Sequence, residues 1–331
     1  GENTAHKKKT IQTAHQWKYN KSNELRLFAM YADLGYRTPG GLTLAQYNED
    51  PRMARPAGGP NPGATEQRAG IYNKTFFAGL AHTAKLTSKL THAISVFGSN
   101  TDIKNPFITN YEIRDEKNLG LRSYFSYVDG DNTDFKWQMQ LGFEGQKGWN
   151  KIDNYDNDHG VATATQAQDK LDNKQYGLFY RAMAQIHQRL TIEGSLGLNK
   201  STIQYSQLFP VLTDGQGTLD FGNIWMPRVA SSYLLQEHIA VRASISKGYS
   251  APTLAEVRSS DNLINKELEA ETGTNYEAGL RYNAPNRRFM ADIAYYTYSM
   301  KNGIIRQLRD SGAEYYVNAG EMKQQGLEAS I

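Results

Sequence analysis

A chain of 331 residues with a net charge of +3 and a mean hydropathy of −0.65 carries no apolar run approaching about 18 residues. A membrane-spanning helix is therefore excluded, and the dispersed charges do not indicate a nucleic-acid partner. The absence of cysteine excludes disulfides and thiolate chemistry. The aromatic content of 21 Tyr, 12 Phe and 4 Trp fits a tyrosine-rich soluble β-sandwich as well as the aromatic girdles of a membrane-spanning β-barrel.

Alternation of apolar and polar residues predicts β-strands along the whole chain. It is clearest between Phe135 and Glu144, where every second residue from Phe135 to Phe143 is apolar and the residues between are polar or glycine. A period of two places these sets on opposite faces of a sheet. In chain order, the predicted strands are Thr10–Tyr19, Leu25–Tyr36, Tyr72–Thr83, Leu90–Asn100, Leu119–Val128, Phe135–Glu144, Tyr176–His187, Thr191–Lys200, Trp225–Leu235, Ile239–Lys247, Tyr276–Tyr282, Phe289–Met300, Ile304–Arg309, Tyr315–Asn318 and a last strand from near Gln324.

Tight turns and long polar segments alternate between these strands. The predicted tight turns are Lys21-Ser22-Asn23, Thr87-Ser88-Lys89, Asp129-Gly130-Asp131-Asn132, Gln188-Arg189, Gln236-Glu237-His238, Ala284-Pro285-Asn286-Arg287 and Asp310-Ser311-Gly312. The segments predicted as long loops are Arg37–Ala69, Thr101–Asn118, Gln146–Asn173, Tyr205–Phe221 and Ser250–Ala270. Short turns at one rim and long loops at the other are typical of an outer-membrane barrel, and about 14 strands fit this scheme. The predicted fold is therefore all-β, an antiparallel transmembrane β-barrel.

Both ends of the chain resemble internal sequence of a longer protein. Residues Gly1–Thr4 contain neither an initiator methionine nor the apolar core of a signal peptide. The other end, Gly326–Ile331, stops inside an alternating strand. We expect residues 1–331 to form one barrel domain that is incomplete at both ends, within a longer protein.

Catalytic patterns are weak throughout the sequence. No two of the seven histidines have metal-ligand spacing, and no G-x-S-x-G motif is present. The acidic run containing Asp153, Asp156 and Asp158 lacks the glycine and terminal glutamate of a calcium loop, so a solvated segment is favoured over a metal site. We therefore predict that the protein is not an enzyme and has no cofactor or resident metal.

Binding by the predicted loops is the favoured interpretation. Guanidinium groups hold carboxylate and phosphate oxygens by forked hydrogen bonds, and aromatic rings add flat apolar contact. An anion-binding vestibule built from the loops would use both residue types, although surface loops also carry Arg and Tyr for solubility and for lipopolysaccharide contact. The candidate ligand-binding residues are Tyr36, Arg37, Tyr47, Arg52, Arg55, Arg68, Tyr111, Trp149, Tyr155 and Tyr205.

Three ordered motifs give the chain a family resemblance. They are Ser246-Lys247-Gly248-Tyr249-Ser250-Ala251-Pro252-Thr253-Leu254-Ala255-Glu256, then Leu268-Glu269-Ala270-Glu271 with Asn275-Tyr276-Glu277-Ala278-Gly279, and Val317-Asn318-Ala319-Gly320 with Gly326-Leu327-Glu328. In this order and spacing they resemble the barrels of TonB-dependent outer-membrane receptors. Gly35–Thr43 and Gln67–Thr75 are similar to the ferric-citrate-receptor branch. Ser250 stands where many members have arginine, so this position carries no inference.

The resemblance implies part of a 22-stranded barrel with a plugged lumen, here without the plug domain, the TonB box or the last strand. It implies an outer-membrane receptor that binds an anionic ferric siderophore, such as ferric citrate, at extracellular loops. Import would be energised by the TonB–ExbB–ExbD complex through the missing N-terminal part. The other implied partners are outer-membrane lipid and lipopolysaccharide, and iron would be carried only as the transported chelate.

Other functions remain open from the sequence. A TonB-dependent importer of glycans or peptides would show the same motifs, and a passive porin or a barrel enzyme would show the same strand pattern. Neighbouring genes would separate the first two, because a siderophore receptor is accompanied by an iron-responsive regulator and a glycan importer by a lid lipoprotein and glycosidases. An upstream plug domain would exclude the porin.

Overall fold

A computed structural model describes residues 1–130, 134–285, 288–310 and 313–331 of the chain. The described elements are β1 (His6–Trp17), β2 (Asn23–Arg37), α1 (Leu44–Glu49), β3 (Gly70–Lys85), β4 (Leu90–Pro106), β5 (Asn110–Gly130), β6 (Phe135–Asp158), β7 (Val161–Ile186), β8 (Leu190–Phe209), β9 (Gln216–Gln236), β10 (Ile239–Ser250), α2 (Leu254–Val257), β11 (Glu271–Asn283), β12 (Met290–Lys301), β13 (Ile304–Leu308), β14 (Glu314–Asn318) and β15 (Met322–Ser330). The helices found in these residues, α1 and α2, are only six and four residues long, so neither could span a bilayer.

The strands form one curved antiparallel meander. Thirteen of them pair in the order β1 to β12 followed by β15, each with its neighbour in the chain apart from the last step, while β13 and β14 pair as a separate hairpin. The described residues show no pairing between β1 and β15, so these two strands are the edges of an open sheet. The prediction of an all-β antiparallel barrel fragment is confirmed, with strand number close to that expected.

The two ends of the strands differ in how far they reach. We call the end at which residues 86–89 and 187–189 connect the strands the turn rim, and the opposite end, toward which β6 and β7 are prolonged, the extended rim. Strands β6 and β7 are 24 and 26 residues long, far beyond the roughly ten residues that span a bilayer. The strands therefore continue well past any apolar band toward the extended rim.

Three segments predicted as long loops are largely strand. Residues 101–118, 146–173 and 205–221 belong mostly to the continuations of β4 to β9, and only 107–109, 159–160 and 210–215 connect them. The prediction of loops was wrong because strand ends in water carry polar residues, which compositionally resemble loops. Residues 38–69 and 251–270 do remain long connections, each containing one short helix. Parts of the predicted turns near 131, 286 and 311 lie outside the described residues.

The two faces of the sheet have opposite chemistry. Phe135, Met139, Leu141 and Phe143 are 41–60% exposed on one face, which confirms the predicted alternation in β6. Cross-strand neighbours of these residues are also large and apolar, among them Leu178 opposite Phe143. We call this the apolar face. Large apolar side chains that alternate with polar ones and are exposed on neighbouring strands are the pattern of a lipid-facing band.

The opposite, polar face carries paired charges. Glu193 on β8 binds Arg181 at 2.6 Å and also pairs with Arg228. Asp292 on β12 accepts hydrogen bonds from Arg242 and from Arg281, each at 2.6 Å. These side chains alternate with the apolar ones along the same strands, so the sheet separates an apolar environment from a polar interior.

Candidate functional site

The polar face is covered at the extended rim by two later segments of the chain. Residues 251–270 and the β13–β14 hairpin together form what we call the loop cover. Ile152, Leu171 and Ile203 project from β6, β7 and β8 and are at most 3% exposed beneath it. The side chains packed with them are Tyr205, Val257 and Leu268, with Leu219, Phe221, Leu254, Ile264, Ile304 and Tyr316 at the margin. Burial of each large aliphatic side chain stabilises this docking by about 1.5–3 kcal/mol.

A buried ion pair ties the loop cover to the sheet. The Nε of Arg258 donates to Oδ2 of Asp169 at 2.8 Å, and the two side chains are 2% and 1% exposed. Glu112 on β5 lies 3.9 Å from the same guanidinium. Burial raises the pKa of the Asp169 carboxyl, and the Arg258 charge only partly offsets this effect. The pair joins residues 89 positions apart, so it connects the cover to β5 and β7 at one point.

Two of the sequence motifs meet within the loop cover. The side chain of Asn318 accepts a hydrogen bond from the backbone N–H of Glu269 at 2.9 Å and donates to the backbone oxygen of the same residue at 3.1 Å. Asn302 donates to the Glu269 carboxylate at 2.8 Å, and Glu271 accepts from the N–H of Ile304 at 2.7 Å. The connection 251–270 and the foot of the β13–β14 hairpin are therefore held together as one unit.

The first motif positions the start of the same cover. Thr253 and Glu256 form a capping box, in which the Thr253 hydroxyl accepts from the N–H of Glu256 and the Glu256 carboxylate accepts from the N–H of Thr253. This arrangement satisfies backbone donors at the start of α2. The short helix then presents Val257 to the apolar cluster and is followed by Arg258 at the ion pair. All three sequence motifs therefore contribute to the loop cover.

The long first connection is anchored to the neighbouring strand ends. The Gln67 amide donates to the backbone oxygens of Ile108 and Asn157, both at 2.8 Å, and its oxygen accepts from the N–H of His159. Gln67 is 5% exposed, although it lies between strand tips. Residues 38–69 are therefore fixed over the tips of the β4–β5 and β6–β7 hairpins.

The predicted ligand-binding residues divide into two groups. Tyr47, Arg52 and Arg68 are exposed on the first connection, residues 38–69, and Arg55 is partly exposed there. Tyr36 is the last residue of β2 whose side chain lies on the polar face. Ion pairs within 4.0 Å that involve these arginines are not found in the described ranges of the chain. This group gives the rim available positive charge beside two tyrosines.

The remaining predicted residues do not lie on loops. Tyr111, Trp149, Tyr155 and Tyr205 belong to β5, β6 and β8, so their assignment to loops was wrong, again because polar strand ends resemble loops in composition. By strand alternation Arg37, Tyr111 and Trp149 lie on the apolar-face side, away from the polar interior. Tyr205 is only 7% exposed and packs under the loop cover, where Gly217 makes room for it: a Cβ at Gly217 would lie 2.6 Å from the phenol oxygen. Ligand binding by these residues stays a prediction.

His159 offers a pH-sensitive contact at the extended rim. Its Nδ1 lies 2.5 Å from Asp158 and its Nε2 lies 3.5 Å from Glu66 on the first connection. The hydrogen bond and the charge of Asp158 raise the pKa of His159 above its usual value of 6.5. The charged imidazole and its contribution to stability are therefore present below the ordinary pKa and are lost as the pH rises through the raised pKa.

We expect an NMR titration of labelled histidine in the full-length protein to give His159 a midpoint above 6.5. Asp158→Asn removes the largest cause and should return the midpoint toward the ordinary value. His238, at the turn rim, is the internal reference and should not respond to the substitution. An unaltered His159 midpoint in the Asp158→Asn protein would contradict this electrostatic account.

The described side chains offer recognition chemistry. Within the ranges that the structure describes, no cluster of three or more His, Asp or Glu side chains is arranged to hold a metal ion. What the extended rim does supply is unpaired guanidinium groups, phenol rings and a covered polar interior. Guanidinium and phenol groups are hydrogen-bond donors suited to carboxylate and phosphate oxygens.

Comparisons with known proteins agree with this architecture. A family model described as "TonB dependent receptor-like, beta-barrel" matches residues 14–331. The solved structure of the unliganded ferric citrate transporter FecA superposes with a TM-score of 0.79 at 14% identity, over 99% of this chain and 48% of that one. The copper transporter OprC superposes with a TM-score of 0.75 at 16% identity, over 99% and 50%.

One curated protein is similar in sequence. The ferric enterobactin receptor PirA of Pseudomonas aeruginosa is 26% identical over 140 residues, which is 34% of this chain and 18% of the relative. The chain therefore spans about half the length of the solved structures it matches and less of this relative. The structural likeness concerns the barrel fold, which a ferric citrate transporter and a copper transporter share.

Proposed function

Because the chain belongs to the TonB-dependent receptor family through its β-barrel domain, we propose that its parent protein imports an anionic ferric siderophore across the outer membrane. In this proposal the apolar face contacts lipid, the polar face lines the lumen, and the extended rim is extracellular. The family is one of outer-membrane receptors and transporters and is not an enzyme family. Energy would come from TonB with ExbB and ExbD, acting on a part of the parent outside this chain.

The observation that carries the proposal is the loop cover over the polar interior, together with unpaired arginines on residues 38–69 at the same rim. Arg52, Arg55 and Arg68 place positive charge at the mouth through which a ligand would pass. A ferric chelate of the citrate type presents carboxylates, which guanidinium groups bind by forked hydrogen bonds. The sequence similarity to a ferric enterobactin receptor supports a ferric chelate as the cargo.

The function is tested by uptake of radiolabelled iron supplied as ferric citrate. Cells with and without the full-length parent are compared, each with and without an uncoupler of the inner membrane. We expect uptake that depends on the parent gene and that the uncoupler abolishes. Uptake that survives the uncoupler would indicate a passive pore. If the gene supported import of a glycan or peptide but of no ferric chelate, the protein would instead be a TonB-dependent importer of glycans or peptides.

The arginines of the first connection give a sharper prediction. Replacing Arg52, Arg55 and Arg68 by alanine in the full-length protein should weaken the binding of an anionic ferric chelate by about tenfold for each charge-assisted hydrogen bond removed. Isothermal titration of the detergent-solubilised protein measures this change. Arg189→Ala, at the turn rim, is the matched control and should leave the affinity as it is. Unchanged affinity of the triple variant for every anionic chelate would contradict the hypothesis that these arginines bind the ligand.

A further inference from the structure

A pocket opens on the polar face between the loop cover and the turn rim. It has a volume of about 240 Å³ and is lined by five successive strands, β4 to β8. Gly145, which lines it, lies two positions beyond Phe143, so the pocket is at the height where the alternating apolar stretch of β6 ends on the opposite face. We call it the wall pocket. The side chains that reach it from the polar face are Phe97, Arg122, Glu144, Gln146, Gln175 and Asn199.

One row of the sheet forms the centre of the wall pocket. Arg122 on β5 is opposite Glu144 on β6, which is opposite Gly177 on β7. Gly177 is in turn opposite Asn199 on β8. The Asn199 carboxamide leans over this glycine, because a Cβ at Gly177 would lie 2.5 Å from Oδ1 of Asn199. A cation, a carboxylate and a carboxamide therefore lie side by side, and the glycine leaves room between the last two.

The two charged side chains keep hydrogen-bonding capacity for a ligand. Nη1 of Arg122 lies 3.7 Å from Oε2 of Glu144, and the side chains are 54% and 48% exposed. A guanidinium and a carboxylate together offer far more donors and acceptors than this single contact uses. Among the described residues that line the wall pocket, no other side chain is charged. The pocket therefore carries one charge of each sign.

The Asn199 side chain offers a buried acceptor. Asn199 is 7% exposed, and its Nδ2 lies 3.9 Å from the sulfur of Met226, which is a weak acceptor. In the described part of the chain, Oδ1 of Asn199 accepts no hydrogen bond. Buried amide groups are normally hydrogen-bonded, because an unpaired one loses its hydration without compensation. This oxygen, on the Glu144 side of the row, is therefore suited to a donor group of a bound molecule.

Two further glycines position the remaining groups. A Cβ at Gly120 would lie 2.3 Å from the ring of Phe97, so this ring lies directly over the glycine. A Cβ at Gly142 would likewise lie 2.3 Å from the ring of Phe179. The Arg122 guanidinium lies 4.9 Å from the centre of the Phe179 ring, in a cation–π contact. The aromatic and cationic groups of the wall pocket are therefore held in place by their surroundings.

We propose that the wall pocket binds a small zwitterion of the free α-amino acid type. The α-carboxylate of the ligand lies on the Arg122 guanidinium, and the α-ammonium lies over Gly177, between Glu144 and Oδ1 of Asn199. The ligand side chain contacts the ring of Phe97. This site goes beyond the proposed function, which uses arginines at the extended rim to hold an anion.

Charge complementarity selects this class of ligand. A carboxylate bound to Arg122 without an ammonium is repelled by Glu144, and an ammonium bound to Glu144 without a carboxylate is repelled by Arg122. A molecule that carries both charges places each beside its opposite, so that the four charges alternate. An uncharged hydroxyl-rich molecule gains from neither charge. The volume of the pocket admits one molecule of this size.

The test is competition against radiolabelled L-leucine in equilibrium dialysis of the purified full-length protein in detergent micelles. Two competitors are matched to L-leucine: 4-methylpentanoate lacks the ammonium, and 3-methylbutylamine lacks the carboxylate. We expect unlabelled L-leucine to compete, and each analogue to compete about tenfold more weakly, because it loses a charge-assisted hydrogen bond. Equal competition by either analogue would overturn the proposal. Competition by methyl glucoside would overturn it too, since that probe is uncharged.

Variants locate the binding in the wall pocket. Arg122→Gln and Glu144→Gln should each weaken L-leucine binding by about tenfold, and Arg122→Lys, which keeps the charge, should lose less. Arg181→Gln is the matched control, because Arg181 forms an ion pair with Glu193 on the same polar face outside the pocket. Equal losses in Arg181→Gln and Arg122→Gln would contradict the site. Failure of iron uptake with normal L-leucine binding would contradict the proposed function alone, because the binding assay requires no import.

Discussion

Replacing Arg258 by methionine should destabilise the docking of the loop cover by about 3–5 kcal/mol, because Asp169 is left as a buried carboxylate without its cation. Hydrogen exchange of residues 251–270 in the full-length protein, read by mass spectrometry, measures the change as reduced protection. Arg306→Met is the matched control, since Arg306 pairs with Glu314 at 2.8 Å and both side chains are exposed at the surface. That variant should lose about 1 kcal/mol or less.

The cost of Arg258→Met should depend on pH. The pKa of Asp169 is already raised by burial, and removing Arg258 removes the interaction that lowers it. The penalty is therefore present above the folded-state pKa and is relieved as the pH falls through it, when the carboxyl takes up a proton. The double variant Arg258→Met, Asp169→Leu should recover most of the protection at neutral pH. If hydrogen exchange of residues 251–270 were as fast in the double variant as in Arg258→Met, the buried-charge explanation would be contradicted.

Replacing Leu171 by alanine should cost about 2–5 kcal/mol, because the side chain is 0% exposed and its removal leaves a cavity between the sheet and the loop cover. Urea unfolding of the full-length protein measures the loss, and hydrogen exchange locates it. Leu178→Ala is the control on the same strand. Leu178 is 55% exposed on the apolar face, so its truncation creates no enclosed cavity and should cost less.

The two substitutions also distinguish global from local effects. If the loop cover is docked chiefly by the apolar cluster, Leu171→Ala will increase exchange in residues 251–270 and in 304–318 together. Equal effects of Leu171→Ala and Leu178→Ala on these segments would contradict a buried interface at this site. Exchange in β10 and β11, which pair within the sheet, serves as the internal reference.

The strands of the apolar band could be predicted from the sequence because alternation there is strong. Phe135 to Phe143 alternate with polar residues, and the structure places them as expected. The strand continuations could not be predicted from composition. In β6, Lys147 and Lys151 face water while Ile152 faces the loop cover, and this partner comes from residues about a hundred positions later. Only the presence of the cover explains the isolated apolar residue.

The buried pair Arg258–Asp169 left no local signal in the sequence, because its partners are 89 residues apart. The two short helices, in contrast, have a recognisable local signal in the sequence. Thr43 with Gln46 and Thr253 with Glu256 have the spacing of a capping box, and the structure contains both boxes. Glu269 and Asn318 belong to two of the family motifs, and the structure brings these two residues into contact.

The bond between Glu269 and Asn318 has a consequence for how receptors of this kind can diversify. Two separate stretches, residues 251–270 and the described residues 302–310 and 313–321, are joined by hydrogen bonds into a single folded patch. A recombination event that exchanges one stretch alone brings together halves that were never selected as partners. Chimaeras that exchange both stretches keep the junction intact. Exchange of the loop cover between related receptors therefore requires both stretches to be exchanged together.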